Sequence, residues 1–225
     1  MNKKSLSERD ICTKFINPAL EKAGWNLRKQ VREEVSFTDG RIIVQGRMHA
    51  RGIRKRADYI LYYKANVPIA IIEAKDNNHN VGDGMQQALQ YSEILQIPFV
   101  FTSNGDGFLF HDKTKSIGHV EKELSLDEFP SPEYLWQRYL QEREIESPEA
   151  IEIVEQEYYT DDSGMAPRYY QQNAINRTIE AIAKGQDRIL LVMATGTGKT
   201  YTAFNIIWRL WKNKTKERIL FLADR

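Results

Sequence analysis

The sequence predicts an α/β protein in two parts: a front domain with a mixed sheet flanked by helices, then the opening of a second, parallel-sheet domain. Three observations predict this. The run 69–75 (IAIIEAK) is nearly all apolar, as a strand covered on both faces must be. Helical and β-prone stretches alternate around it. After about residue 125 the character changes, and from Arg168 helix, strand, glycine-rich loop, helix and strand follow in order.

The first element reads as a helix. Ser5 or Ser7 can cap it; Ile11, Phe15, Ile16, Ala19 and Leu20 recur at helical spacing, and Gly24 stops it. Residues 28–45 hold short β-prone pieces around a turn at Asp39-Gly40. Residues 57–63 (ADYILYY) predict a strand, 64–68 a turn and 69–75 a second, buried strand. Met85, Ala88, Leu89, Ser92 and Leu95 form one face of a helix over 84–95. Residues 98–103 (PFVFTS) predict a strand, and the turn 104–107 (NGDG) joins it in a hairpin to 108–111. Pro130 and Pro132 punctuate a helix bearing Trp and Tyr, and an acidic linker is expected near 145–165. Strands are then expected over 188–193 and 218–223, with a helix between them over 199–211, the opening βαβ unit of a RecA-like sheet. The chain reaches Arg225 too soon to close such a domain, so it is expected to be a piece of a longer protein.

Composition narrows the class. A hydrophobic fraction of 41% is ordinary for a folded soluble protein. The amino terminus lacks a signal-like apolar run, and no stretch approaches the ~18 apolar residues of a membrane helix, so a cytoplasmic protein with no membrane partner is expected. The single cysteine, Cys12, leaves no internal disulfide or cysteine metal cluster. The net charge of +1 hides an uneven distribution. Arg41, Arg47, Arg51, Arg54, Lys55 and Arg56 occur without an intervening acid, whereas 142–162 is acidic. The basic run suits a polyanion, though a solvated arginine loop reads the same on charge alone.

The string MATGTGKT at 193–200 follows an apolar strand and opens a helix, the setting of a phosphate-binding loop. Thr195, Gly196, Thr197 and Gly198 would bring backbone amides to phosphate oxygens. Lys199 would neutralise the β and γ phosphates of ATP, and the Thr200 hydroxyl would ligate its Mg²⁺. Met193 replaces the first glycine of the usual pattern, as in helicase-type motors. Upstream, RYYQQNAI at 168–175 resembles the Q-motif of superfamily 2 helicases, in which Gln171 would read adenine. FLADR at 221–225 resembles the next motor motif; the acidic motif needed for hydrolysis is expected beyond residue 225, so this stretch alone should lack a complete ATPase.

A second constellation is spread through the front domain. Strand alternation puts Glu73 and Lys75 on one face. Asp58 joins that face if residues opposite each other in the 57–75 hairpin sum to an odd number, pairing 58 with 73 or 75; a four-residue loop does this, and a five-residue loop needs a bulge. Two carboxylates so placed could hold one or two Mg²⁺ ions, with Lys75 orienting water or stabilising charge on phosphorus. A Glu and a Lys two apart can also be a salt-bridged strand end. Gln87 and Tyr91, four apart on the next helix, share a face that could reach the same place. Glu8 might extend to it, but suits the first turn of its helix electrostatically, and that plainer reading is preferred. His79 and His111 read as ordinary surface or loop histidines.

The series D-x14-E-x-K from Asp58 to Lys75 resembles the PD-(D/E)XK nuclease superfamily, and Q-x-x-x-Y at Gln87 and Tyr91 resembles its RecB-like members. With the opening SERDICTKFINPALEKAGW, the NGDGF turn, the Q-motif and MATGTGKT, the chain resembles the R (HsdR) subunit of type I restriction enzymes over essentially its whole length. That resemblance implies a PD-(D/E)XK endonuclease domain over 1–145, an acidic linker over 146–165 and the first part of a RecA-like translocase over 166–225. It implies Mg²⁺-dependent cutting of double-stranded DNA, driven by ATP, by a type I site-specific deoxyribonuclease partnered with methyltransferase (modification) and specificity subunits. A stand-alone helicase–nuclease of DNA repair, or a degenerate nuclease domain that only grips DNA, are the alternatives.

Overall fold

The computed structural model describes residues 2–38, 42–45, 48–51, 54–115, 120–160 and 166–223, with side chains left out of account over 42–45 and 48–51. The expected turn at Asp39-Gly40, and Arg41 and Arg47 of the basic run, lie outside them. The chain divides into two compact units, Met1–Tyr139 and Leu140–Arg225.

The first unit opens with α1 (Glu8–Ile11), where Ser7 and Asp10 form a reciprocal cap. The single helix expected here is interrupted: Cys12–Ile16 form a π turn before α2 (Asn17–Lys22). Pro18 gives the physical reason. It has no N–H for an α-helical bond, and its ring crowds the carbonyl four residues back. The wider turn, in which Asn17 N donates to Cys12 O five residues earlier, relieves that crowding.

After the short α3 (Leu27–Gln30) come β1 (Val31–Thr38), the small hairpin β2 (Ile42–Gln45) and β3 (Met48–Arg51), then β4 (Arg54–Tyr62) and β5 (Pro68–Ala74). The helix α4 (Met85–Leu95) connects β5 to β6 (Phe99–Ser103), which is followed by β7 (Gly107–Asp112), β8 (Glu121–Ser125) and α5 (Pro132–Arg143). Six strands form one mixed sheet in the order β1-β4-β5-β6-β7-β8; β5 and β6 are parallel and the other neighbours antiparallel. A parallel pair requires a crossover, and α4 supplies it. β5 is buried on both sides from Ile69 to Ala74, which explains its unbroken apolar run. Phe101 is fully buried, stacked on Phe110 with ring centres 4.4 Å apart and packed against Phe129 at 4.7 Å.

The hairpin of β4 and β5 decides the register on which the site depends. Tyr59↔Ile72, Ile60↔Ile71 and Leu61↔Ala70 keep an odd sum, and the register shifts between Leu61 and Tyr62, where Tyr62 pairs with Pro68. Five residues, 63–67, therefore make the loop, and the bulge absorbs the extra one.

The second unit, Leu140 onward, is helical. Its acidic stretch, expected as a linker, contains α6 (Pro148–Glu155), capped by Ser147 and burying Ala150, Ile153 and Val154. α7 (Tyr169–Ala183) and α8 (Lys199–Lys212) follow. Arg209 of α8 is 1% exposed and donates to the carbonyls of Ile153 and Val154, satisfying the end of α6, and to Asn176 Oδ1. Asn205 Oδ1 accepts from Tyr159 N, so the segment after α6 is also tied to α8. The strands expected over 188–193 and 218–223 do not form: both runs lack ladder pairing, and Leu190, Val192, Leu220 and Leu222 are 82–89% exposed. A strand exists only against a neighbour, and among the described residues none lies beside these runs. No helix of the described residues is long and apolar enough to cross a membrane.

Candidate functional site

In the first unit, continuing the Tyr59↔Ile72 register by one step sets Asp58 across from Glu73. The two are interlocked through the backbone: Asp58 N donates to Glu73 Oε1 at 3.3 Å, and Ala74 N donates to Asp58 Oδ2 at 2.8 Å. Lys75 follows directly, held by its N–H to Ser103 O, which continues the parallel pairing with β6. From α4, Gln87 Nε2 donates to Glu73 Oε2 at 2.8 Å and to Tyr91 Oη at 3.1 Å. Asp58, Glu73, Lys75, Gln87 and Tyr91 are therefore brought into one cluster.

The start of α4 approaches so closely that a Cβ on Gly84 would lie 3.3 Å from Glu73 Cβ and 3.6 Å from Lys75 Cε. Glycine at this position lets the helix sit down on the two strands.

Glu73 is 1% exposed. Burial, with the charge of Asp58 adding to it, pushes its carboxyl up to about 8. A carboxyl in that state holds a proton at neutral pH unless a cation compensates its charge. Glu8, read from the sequence as a helix-start residue, reaches the same cluster: its Oε2 is 4.0 Å from Lys75 Nζ. Its carboxyl is also raised, by burial first and then by Asp58. The sequence raises this reach only as the less favoured of two readings, because the contact spans the fold from residue 8 to residue 75.

The donor set consists of carboxylate oxygens with amide and hydroxyl neighbours, which suits a hard divalent cation such as Mg²⁺. Among the described residues no three His, Cys, Asp or Glu side chains converge around one point. A cation between Asp58 and Glu73 would complete its shell with water, backbone carbonyl or phosphate oxygen. The other titratable candidates stand apart: His79 Nδ1 is 3.0 Å from Asp76 and His111 Nδ1 is 2.9 Å from Glu121.

In the second unit, residues 195–198 form a turn leading into α8, and Lys199 and Thr200 are the first two residues of that helix, both exposed. Gly198, the residue before the helix, has φ +84° and no side chain to cap the first turn, leaving its amide groups open to an anion. Gln171 lies against this loop: its Nε2 donates to Thr197 O at 2.9 Å and its Oε1 accepts from Arg168 N at 2.9 Å. A Cβ on Gly198 would collide with Gln171 Nε2, so the close approach of α7 to this loop requires glycine here.

Comparison with known proteins agrees with both halves of the sequence. Residues 27–130 match the family described as the type I restriction enzyme R protein N terminus, and residues 164–225 match the type III restriction enzyme res subunit family. The chain is 54% identical to the type I restriction enzyme EcoAI endonuclease subunit of Escherichia coli, with all of this chain and 28% of the relative aligned. It is 28% identical to the EcoKI endonuclease subunit of Escherichia coli strain K12, over 94% of this chain and 22% of the relative. A solved fragment assigned to the HsdR subunit of a type I restriction enzyme of Vibrio vulnificus YJ016 superposes with a TM-score of 0.79 at 41% identity, covering 93% of this chain and 39% of that one. The chain thus spans about a quarter of the length of the curated relatives it matches. It belongs to the family of endonuclease (R) subunits of type I restriction enzymes, corresponding to their amino-terminal region and the start of their helicase-type segment.

Proposed function

We propose that this chain supplies the endonuclease domain, and the first part of the ATP-driven motor, of an enzyme that cuts double-stranded DNA after translocating it. The observation that carries the reading is the Asp58–Glu73 pair: two carboxylates across one hairpin, one of them buried and beside Lys75. The six-stranded sheet is then a PD-(D/E)XK core over 1–145. The connector 146–165 is docked through α6 on the helices of the motor part, 166–225, a RecA-like domain whose remaining strands lie elsewhere in the full subunit.

Asp58 and Glu73 would hold Mg²⁺, which when bound would supply Lewis-acid activation of water and offset negative charge on the phosphodiester. Lys75 Nζ would orient the attacking water or neutralise charge on the phosphoryl oxygens as the water oxygen bonds to phosphorus, the P–O ester bond breaks and the leaving oxygen takes up a proton from solvent. Gln87 fixes the Glu73 carboxylate through Oε2 and is itself held by Tyr91. Glu8 keeps the Lys75 ammonium directed toward the pair. In the motor part, the amides of Thr195, Gly196, Thr197 and Gly198 would cradle the phosphates of ATP, Lys199 would neutralise them, Thr200 would ligate Mg²⁺, and Gln171 would read the adenine edge. Methyltransferase (modification) and specificity subunits choose the DNA, in the cytoplasm, and no base reading is assigned to this chain.

The test uses the complete R subunit assembled with those partners. With Asp58→Ala, DNA cutting should be lost while DNA-dependent ATP hydrolysis stays within about twofold of the parent. Cutting at the parent's rate would remove Asp58 from the reaction.

A further inference from the structure

One cation beside the nuclease cluster has no assigned task. Lys55, three residues before Asp58 in β4, is half-buried, and its Nζ lies 5.6 Å from the centre of the Tyr91 ring. That ring is fixed: Phe37, opposite Lys55 in the β1–β4 ladder, packs edge-on against it with centres 5.1 Å apart. Tyr91 in turn ends the hydrogen-bonded chain that runs through Gln87 to Glu73.

The neighbours of Lys55 are engaged differently. Arg54 donates to Ser36 Oγ at 3.0 Å, and Arg56 faces Glu34 at 3.7 Å. Among the described residues Lys55 has neither an ion pair nor a hydrogen bond. The attraction of a ring for an ammonium at this range is modest and leaves the charge largely uncompensated. A half-buried ammonium over the ring whose hydroxyl is tied through Gln87 to Glu73, and without a carboxylate partner among the described residues, is placed to receive an anion that enters with the substrate.

We infer that Lys55 holds a backbone phosphate of the DNA strand lying in the Asp58–Glu73 site, with the Tyr91 ring as the floor that aims its ammonium. This rests on the nuclease reading and adds to it the residue that seats the strand. Lys55 is a positioning residue: it takes no part in bond breaking, and its contribution is one charge against one phosphate.

The experiment measures binding of a labelled short DNA duplex to the chain, with Ca²⁺ in place of Mg²⁺, across a salt series. Parent, Lys55→Met and Lys55→Arg are compared, and Mn²⁺ binding to each is measured separately by calorimetry. Losing one phosphate contact should lower the slope of log affinity against log salt by about 0.9 in Lys55→Met, weakening binding several-fold at low salt. Lys55→Arg should restore the slope, and all three should bind Mn²⁺ alike, which a general loss of structure would not allow. A Lys55→Met slope equal to the parent's, a Lys55→Arg protein that behaves like Lys55→Met, or a parent that does not bind the duplex would overturn the assignment. A one-charge change in slope in a chain that binds no Mn²⁺ would instead sink the nuclease reading and leave Lys55 a simple DNA contact.

Discussion

The two units present opposite relations between sequence and structure. The proposed phosphate-binding loop is contiguous: eight letters at 193–200, preceded by an apolar run and followed by a helix, announce it. Yet the strands that should frame it are unpaired, with Leu190 86% and Val192 89% exposed. The proposed nuclease cluster is announced faintly, by single letters at 58, 73, 75, 87 and 91, and its residues are brought together. A contiguous motif is legible because its geometry is local. A site is complete only when every element that frames it has found its neighbour.

The contrast can be broken most severely through packing. Phe101→Ala removes a fully buried ring that meets Phe108, Phe110 and Phe129. It should cost about 3–5 kcal/mol of unfolding free energy, read as a shifted urea midpoint of the transition that reports the sheet. A cost near zero would mean that the front core is not packed as described.

Next in size is the chemistry. In the complete enzyme, Glu73→Ala should lower the DNA-cutting rate at least about 100-fold, the scale expected when the cation that stabilises transition-state charge loses one of its holders. Lys199→Ala should instead abolish ATP hydrolysis with the nuclease cluster intact. A variant that removed both activities equally would deny that the two units hold separate sites.

The pH dependence of the metal-free chain gives a third comparison. Glu73 is raised from 4.5 to about 8 in the folded state, so the folded protein keeps a proton that the unfolded chain releases. That contribution is fully present below about 4.5 and is lost as pH rises through about 8. Stability should fall across that window by up to ~1.4 kcal/mol per pH unit. Glu73→Gln should flatten the fall, measured as urea midpoints between pH 5 and 8 without metal, each value about half a unit from the next. An unchanged slope would show that Glu73 ionises freely when buried.

The smallest effect should come from the second unit. Leu190→Ser in this chain should change stability by less than about 0.5 kcal/mol, because the side chain has little packing to lose. A loss of several kcal/mol would show that the 188–193 run is packed after all.

How much was legible follows from the same physics. Periodicity located α4, the β4–β5 hairpin and the β6–β7 turn, because each is a local pattern. The register condition for Asp58 was also readable, and the bulge at Leu61/Tyr62 is the device that a five-residue loop demanded. The π turn was missed because Pro18 occupies an otherwise helical pattern, and the apolar spacing alone carries no trace of the widened turn. β8 was missed because EKELS is an edge strand that buries only Leu124. Glu8 was set aside and Lys55 was one of a run of cations. Their places beside Lys75 and Tyr91 are tertiary, separated by 67 and 36 residues of chain, and no window along the sequence contains either pair.

The central claim, that Asp58 and Glu73 form a metal-holding nuclease site, is tested most directly by Mn²⁺ calorimetry in the presence of a short DNA duplex, comparing the parent with Asp58→Ala and Glu73→Ala. The account predicts binding by the parent and its loss in both variants, with circular dichroism showing each still folded. Equal binding by all three proteins, or by none, would contradict it and make the pair a structural lock between two strands.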